Sequence, residues 1–258
     1  MELLLVSLGF FVGTAVGLTG VGGGAIMTPL LIIFTDLKLS VIIAVDLIFA
    51  SVTKLSATYT HAKNDNIDWM VLKRMWIGSI PSVLAVIALV FTTDLFSMDF
   101  IMPVIGIILI ISGILMGISH ESQSLARGIR MKFPDQFKYY QKHLTVIGGS
   151  LIGSLVAMTS IGAGAIGAVM LRALYPLRMM PKKLVGTDTL HAIPIALIAG
   201  IGYASFGYLD IQTLLCLLLG SLPGSFLGAT LTNKIKPHWV KVLLGIAILL
   251  SGIKIALY

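Results

Sequence analysis

Charged residues are scarce in this sequence, and their scarcity defines its class. Only 11% of the 258 residues are Asp, Glu, Lys or Arg, whereas 57% are hydrophobic. A soluble domain carries about 25% charged residues, so the composition excludes an ordinary soluble domain. Cys216 is the single cysteine, which excludes an internal disulfide framework. Strict alternation of apolar and polar residues is also missing, and this argues against a membrane β-barrel.

Long apolar runs take the place of the missing charges. Runs of about 20 residues cover residues 40–60, 71–90, 101–118, 184–204, 211–231 and 239–257. Each run is long enough to cross a hydrocarbon core of roughly 30 Å as an α-helix. The N-terminus has no basic region ahead of its apolar residues, so we expect it to be retained in the mature protein. The sequence therefore predicts an all-α polytopic membrane protein.

The second half of the sequence repeats the first. TGVGGGAI at 19–26 returns as TSIGAGAI at 159–166, GSIPS at 78–82 as GSLPG at 220–224, and GIILIISGI at 106–114 as GIAILLSGI at 245–253. Asp46 recurs as Asp188 and Asp68 recurs as Asp210, at nearly the same interval. Matches in the same order at nearly constant spacing indicate a duplication.

Lysine and arginine collect in some of the connections between apolar runs and are missing from others. The basic connections lie near residues 63–74, 120–143, 172–183 and 234–241, whereas residues 92–99 and 203–210 contain neither lysine nor arginine. Cytoplasmic connections are enriched in these two residues. If every apolar segment crossed the membrane once, the second half would place its basic connections outside.

Two long glycine-containing segments, residues 3–34 and 143–172, remove this conflict if each enters and leaves on the same side. Each would be about 45 Å long as a continuous helix, too long for one straight crossing and too short for two. We therefore expect an inverted-topology tandem repeat. Each half would contain a glycine-broken re-entrant helix pair followed by three transmembrane helices. The expected units are residues 1–119, a basic cytoplasmic linker over 120–142, and residues 143–258.

The glycine breaks are the candidate substrate site. A break inside hydrocarbon leaves backbone N–H and C=O groups that protein or a polar cavity must receive. The helix that follows a break presents free N–H groups and a positive dipole end, which suit an anion. The predicted substrate-binding residues are Thr19, Gly20, Gly22, Gly23, Gly24, Thr159, Ser160, Gly162 and Gly164. The alternative is that the glycines only allow close helix packing; their recurrence in both halves favours a site.

Four ionisable residues interrupt the apolar runs and are the predicted coupling or gating residues: Asp46, Lys54, Asp188 and His191. A charge at a helix centre costs at least about 2.5 kcal/mol, so each is a functional candidate. The alternative for the aspartates is a position near a helix N-terminus, favoured by the dipole. His191 follows Asp188 by one helical turn and either pairs with it to carry a proton or packs as a hydrogen-bonded core residue. Lys54 either extends toward the interface or attracts an anion.

The segment GLTGVGGGAIMTPLL at 17–31 resembles the first-helix signature of the TauE/SafE sulfite exporter family, also called the toluene-sulfonate uptake permeases. The GxGGG pattern and its following proline fall on Gly20, Gly22–Gly24 and Pro29. The repeat TSIGAGAI, the basic central segment and the length also match, so the resemblance covers essentially the whole chain. It implies a multi-pass carrier in a bacterial or archaeal cytoplasmic membrane. The implied substrates are small sulfur-containing anions such as sulfite or organosulfonates.

Two departures from the family pattern bear on the substrate. Ala163 stands where a family glycine is expected, and no proline matches Pro29 in the second half. Asp46 and Asp188 fall where small hydroxyl or amide residues are expected. Carboxylates beside an anion path suggest proton coupling or else a different substrate.

The resulting expectation is a secondary transporter, most readily an exporter, that works by alternating access of the two repeats. The expected partners are a small anion and membrane lipids, with a homodimer as a candidate assembly. No nucleic-acid partner, cofactor or metal is expected. One alternative is a transporter of cations or other organic acids that uses Asp46 and Asp188. Another is a membrane-embedded enzyme, which the sequence disfavours because HExxH and GxSxG motifs are missing.

Overall fold

A computed structural model describes residues 1–19, 24–92, 98–132, 134–161, 164–231 and 237–256. These residues form ten α-helices and contain no strand. The helices are α1 Glu2–Thr19, α2 Gly24–Phe34, α3 Leu39–Lys63, α4 Trp69–Thr92, α5 Met98–Lys132, α6 Pro134–Thr159, α7 Ala165–Leu174, α8 Pro181–Ser205, α9 Ile211–Leu231 and α10 Pro237–Ala256.

The apolar runs of the sequence are confirmed as helices α3, α4, α5, α8, α9 and α10. Each long glycine-containing segment contributes two helices to the described structure. Helix α1 ends at Thr19 and α2 begins at Gly24, while α6 ends at Thr159 and α7 begins at Ala165. The predicted linker, residues 120–142, is helical on both sides of Phe133, since α5 continues to Lys132 and α6 starts at Pro134.

Three helices in the described part of the chain are long and apolar enough to cross a membrane: Trp69–Thr92, Pro181–Ser205 and Ile211–Gly228. Large apolar side chains point outward from two of them, such as Ile77 on α4 and Phe226 on α9, which are 63% and 72% exposed. Contiguous outward apolar surface is unfavourable in water but suits contact with lipid. The chain is a helical, multi-pass membrane protein.

The two halves of the chain interlock. Helix α1 packs on α9, α4 on α6, α3 on α8 and α5 on α10. Each of these pairs joins a helix of the first half to one of the second. In the order of the two halves, α1 corresponds to α6 and α4 to α9, so the pair α1 with α9 is the counterpart of the pair α6 with α4. The pairs α3 with α8 and α5 with α10 each join a helix to its own counterpart.

Glycines bring the paired helices into backbone contact and reveal their relative directions. Gly9 and Gly13 of α1 face Leu217 and Ser221 of α9, so residue numbers rise together and the two helices are parallel. Close approach of this kind is typical of membrane helices with small residues at the interface.

The other pairs have their own directions. Helices α4 and α6 are parallel, since Met75 faces Gly149 and Ser79 faces Gly153. Helices α5 and α10 are antiparallel, because Gly113 at the later part of α5 faces Leu249 while Gly106 faces Ala256. Helices α3 and α8 also run in opposite directions, with Ile48 against Gly200 and Lys54 close to Asp188.

Helix α7 returns toward the end at which α6 starts. The Gln141 side chain of α6 donates to the Leu174 carbonyl at the end of α7, and the Thr145 and Tyr175 hydroxyls are 2.8 Å apart. Helices α6 and α7 therefore form a hairpin. In the first half, Gln212 at the start of α9 donates to the Glu2 carboxylate at the start of α1, 2.6 Å away.

Most basic side chains of the described residues gather at one end of the molecule, where α3 finishes and α4, α6 and α8 begin. We call it the basic end; it carries Lys63, Lys73, Arg74, Lys138, Lys142, Arg178, Lys182 and Lys183. The opposite end, where α1, α3 and α9 begin, carries Glu2, Asp36 and Asp210 together with Lys38 and Lys254. Asp68 and Asp210, the repeated pair, cap the starts of α4 and α9 through hydrogen bonds to backbone N–H groups.

The contact between α1 and α9 is expected to tolerate no added methyl group. A Cβ at Gly13 would lie 2.6 Å from the Ser221 Cα, whereas a Cβ at Gly128 would meet nothing within 4 Å. Gly13→Ala should therefore destabilise the protein by about 1–3 kcal/mol through overpacking. Gly128→Ala should be neutral or stabilising because alanine favours the helix. Thermal unfolding in detergent measures both, and equal unfolding temperatures for the two variants would contradict the packing described here.

Candidate substrate site

Polar and ionisable side chains meet in the apolar interior around the paired helices α3 and α8. Asp46 and His191 are fully buried, and Lys54 is 8% exposed. Asp188 is partly buried, with a buried carboxylate oxygen. Burying such groups is costly unless they are paired or hydrogen-bonded. The four residues predicted for coupling or gating therefore share one region of the fold.

Asp46 joins three elements. Its Oδ2 accepts a hydrogen bond from the Thr28 hydroxyl of α2. Ser160, directly after α6 in the other half, lies beside the same carboxylate. Neither the Asp46 Oδ1 nor the Ser160 hydroxyl completes a hydrogen bond with a described residue. Ser160, which follows the end of α6 in the second half, therefore lies next to Asp46 of the first half.

Ser160 adopts a backbone conformation that is unusual for a residue with a side chain. Its φ is +60°, in the left-handed region, and its N–H donates to the Val156 carbonyl at 2.8 Å. A left-handed residue is a common way to end a helix, although glycine is preferred there. Non-glycine residues in this region often accompany functional sites. The serine places a hydroxyl where glycine would leave none.

Asp188 faces the first turn of the short helix α7. A Cβ on Gly167, the third residue of α7, would overlap the Asp188 Oδ1, so this glycine makes room for the carboxylate. Gly164 is the N-cap of α7 and supplies no side-chain cap. The N-terminal dipole of a helix stabilises negative charge. The Asp188 carboxylate therefore lies against α7, as the Asp46 carboxylate lies against α2.

Lys54 places its amine close to the carboxylates of Asp188 and Asp46. It forms no direct ion pair with either one. One amine and two carboxylates therefore share this region, and an anion would be attracted only when the carboxyls are protonated.

His191 is bound to α4 and not to Asp188. Its Nε2 lies 3.0 Å from the Ser79 hydroxyl, and its backbone carbonyl accepts from the Trp76 indole at 3.4 Å. The Asp188 Oδ1 and His191 Nδ1 atoms each lack a hydrogen-bond partner in the described structure. The sequence allows two roles for His191: pairing with Asp188, or packing as a hydrogen-bonded core residue. The structure has His191 in the second role, without a hydrogen bond to Asp188.

Four buried polar atoms of this region have no hydrogen-bond partner within the described ranges: Asp46 Oδ1, Ser160 Oγ, Asp188 Oδ1 and His191 Nδ1. Buried polar atoms in proteins are usually satisfied. Their grouping indicates a place where protons, water or a polar ligand complete the bonding. No group of three or more His, Cys, Asp or Glu side chains suited to a metal ion occurs among the described residues.

The remaining predicted substrate residues divide into two groups. The Thr159 hydroxyl donates to the Leu155 carbonyl and accepts from the Ile161 N–H, so it closes the end of α6. Gly24 opens α2, Gly164 precedes α7, and the backbone of Thr19 ends α1. The others lie outside the described residues: Gly20, Gly22, Gly23 and Gly162.

Sequence reasoning did not assign Thr28 and Ser79 to this site. Thr28 stands within the motif GLTGVGGGAIMTPLL, and Ser79 stands within the repeated GSIPS. Motif membership was the available signal for both residues. Their hydrogen-bond partners on α3 and α8 lie far along the chain.

Comparisons with known proteins agree with this architecture. The family model described as sulfite exporter TauE/SafE matches residues 5–255. The chain is 34% identical over 259 residues to the probable membrane transporter protein YjnA of Bacillus subtilis, covering 99% of this chain and 100% of that protein. It is 26% identical to the probable membrane transporter protein YunE of the same organism, with 96% and 95% covered.

A relative from an archaeon is similar over most of its length. The chain is 25% identical to the probable membrane transporter protein MJ0441 of Methanocaldococcus jannaschii, covering 93% of this chain and 90% of that protein. No solved structure matches the chain. The family match spans nearly every residue from α1 to α10. The chain therefore belongs to the TauE/SafE sulfite exporter family and is a membrane transporter.

Proposed function

We propose that this protein is a secondary transporter of small sulfur-containing anions, such as sulfite or organosulfonates, across the cytoplasmic membrane. The observation that carries the proposal is the pairing of two short helices, α2 and α7, with Asp46 and Asp188. Each short helix follows a break and offers a dipole end that favours negative charge. The outward direction of transport rests on the description of the family.

The aspartates suggest how an anion and a proton are coupled. When it is ionised, each carboxylate would supply the negative charge that a short-helix N-terminus favours. An anion can take over this role if the carboxylate accepts a proton. Anion binding would then be accompanied by proton binding. Lys54 lies close to both carboxylates, and its positive charge would stabilise the bound anion once a carboxyl is protonated.

The directions of the helices support alternating access by inverted repeats. Helix α1 runs with α9, and its repeat counterpart α6 runs with α4. Helices α3 and α8 are repeat counterparts and run in opposite directions, as do α5 and α10. Inverted repeats place the transport site at their interface, where helices are broken. The region around Asp46 and Asp188 occupies such an interface.

The charge distribution supports one orientation in the membrane. Cytoplasmic ends of membrane helices carry an excess of Lys and Arg. The basic end would therefore face the cytoplasm, and the start of α1 would face outside. Both broken segments would return to the side from which they enter.

A second candidate is transport of a cation by the two aspartates. The Oδ1 atoms of Asp46 and Asp188 favour it, because they have no hydrogen-bond partner among the described residues and carboxylate oxygens bind cations. The buried amine of Lys54 opposes it, because a positive charge near both carboxylates repels a cation. The single amine thus opposes a cation while the two carboxylates attract it, so an anion is preferred only when the carboxyls are protonated.

The proposed orientation predicts the side on which single cysteines are labelled. In a Cys216→Ala background, Ser205→Cys and Lys38→Cys should react with an impermeant thiol reagent on intact cells. Lys63→Cys and Leu177→Cys should react only after lysis, because they lie at the basic end. Lys38 and Leu177 follow the two broken segments, so they test re-entry directly. Labelling of Lys38→Cys and Leu177→Cys on the same side would contradict the inverted arrangement.

Coupling predicts that anion affinity rises as pH falls. If one proton accompanies each anion, the affinity of the wild type should change by up to about tenfold per pH unit above the pKa of the coupled carboxyl. Toluenesulfonate is the suitable probe because its charge is constant over this range, and calorimetry measures the affinity. Asp46→Asn or Asp188→Asn should bind the anion with a much weaker pH dependence, because asparagine mimics the protonated acid.

The matched control is Asp210→Asn, which makes the same change at a helix cap that asparagine also supports. It should keep the affinity and the pH dependence of the wild type. Absence of anion binding, together with stabilisation by a cation that is lost in Asp46→Asn, would favour the second candidate.

The glycine break itself is tested by Gly23→Leu. A bulky side chain at this position should block approach of an anion to the backbone, so sulfite binding should fall by about tenfold or more. Gly128→Leu, in open space on α5, is the control and should bind as the wild type does. Calorimetric titration with sulfite, with sulfate and sulfoacetate for comparison, measures the change. Unchanged sulfite affinity in folded Gly23→Leu would remove the glycine break from the binding site.

A further inference from the structure

A polar cavity lies at the basic end, away from Asp46 and Asp188. It has a volume of about 470 Å³ and is enclosed by the start of α4, the end of α5, the start of α6 and the connection between α7 and α8. Five cationic side chains line it: Arg74, Arg130, Lys138, Lys142 and Arg178. No acidic side chain is among its described lining residues.

We propose that this cavity binds the phosphate headgroup of an anionic phospholipid of the cytoplasmic leaflet. Basic pockets between helices on this side of a membrane suit such headgroups. The proposal depends on the membrane orientation of the basic end. It is independent of the transported substrate.

Two cations of the cavity, Arg74 and Arg178, are held in place by the fold. Arg74 Nη1 donates to the Tyr175 hydroxyl at 3.2 Å, and this hydroxyl also contacts Thr145 of α6. Arg178 binds Asp68 through two contacts of 2.8 and 3.3 Å. The tyrosine hydroxyl thus orients Arg74 without neutralising its charge, whereas the Asp68 carboxylate neutralises the charge of Arg178.

Three cations of the cavity have no acidic partner among the described residues. Arg74, Lys138 and Lys142 form no ion pair with an acidic residue in the described part of the chain. The positive charges that line one cavity repel one another, and a bound phosphate would offset that repulsion. A planar guanidinium binds phosphate oxygens through paired hydrogen bonds, and the lysines add point charges.

The rim of the cavity favours a lipid over a free phosphate ion. Met70, Tyr139 and Leu177 line the same opening, and they are 38%, 69% and 51% exposed. Exposed apolar side chains at helix ends suit acyl chains, and tyrosine is enriched at the level of the headgroups. A free phosphate ion has no apolar part that could contact these rim side chains.

The test measures thermal unfolding of the full-length detergent-solubilised protein during titration with phosphatidylglycerol. The wild type should be stabilised saturably by this lipid and much less by phosphatidylcholine. Lys138→Gln/Lys142→Gln should weaken the apparent affinity for phosphatidylglycerol by about tenfold or more, because two cations near the headgroup are removed. The matched control is Lys63→Gln/Lys182→Gln, which removes two exposed cations of the basic end that do not line the cavity.

A third variant, Arg74→Lys, keeps the charge but removes the planar guanidinium, and it should lose part of the affinity. Equal weakening in the cavity variant and in the Lys63→Gln/Lys182→Gln control would overturn the proposal, since general surface charge would then suffice. Equal stabilisation by phosphatidylcholine would also overturn it. Inorganic phosphate that matches phosphatidylglycerol at the same concentration would mean a site for a soluble anion.

Discussion

The fold depends on one constraint: backbone polar groups inside a membrane must find partners within the protein. Helix α1 ends at Thr19 and α6 at Thr159, so the polar groups of these helix ends need partners inside the protein. Helices α9 and α4 pack closely along α1 and α6, because glycines such as Gly13 and Gly153 allow backbones to touch. Side chains contribute as well, since the Thr159 hydroxyl closes the end of α6.

Duplication supplies two equivalent arrangements, and single residues make them different. Asp46 and Asp188 occupy equivalent helices, and each faces the short helix of its own half. Lys54 has no counterpart, because residues 194–196 at the equivalent part of α8 are apolar. Under the proposed function, the symmetric aspartates would provide two related states for alternating access. The single lysine would draw an anion toward both of them.

The local elements could be predicted from the sequence, whereas the partners of the site could not. Apolar runs, the glycine breaks and the repeat depend on residues close in the chain, and each of the predicted runs is a helix. The extension of α5 through Gly128 to Lys132 was not anticipated in the linker. His191 bonds to Ser79 on α4, although its spacing from Asp188 allowed a pair on the same helix.

By itself the sequence determined a helical membrane protein with charges inside its apolar runs, and it predicted a duplicated design with breaks at the glycines. These properties follow from composition and from spacing along one chain segment. The tertiary structure decided which side chains meet: Ser160 beside Asp46, Thr28 on the same carboxylate, and Ser79 on His191. Such meetings depend on the register and direction of helices far apart in the chain, which are set by backbone packing across the two halves.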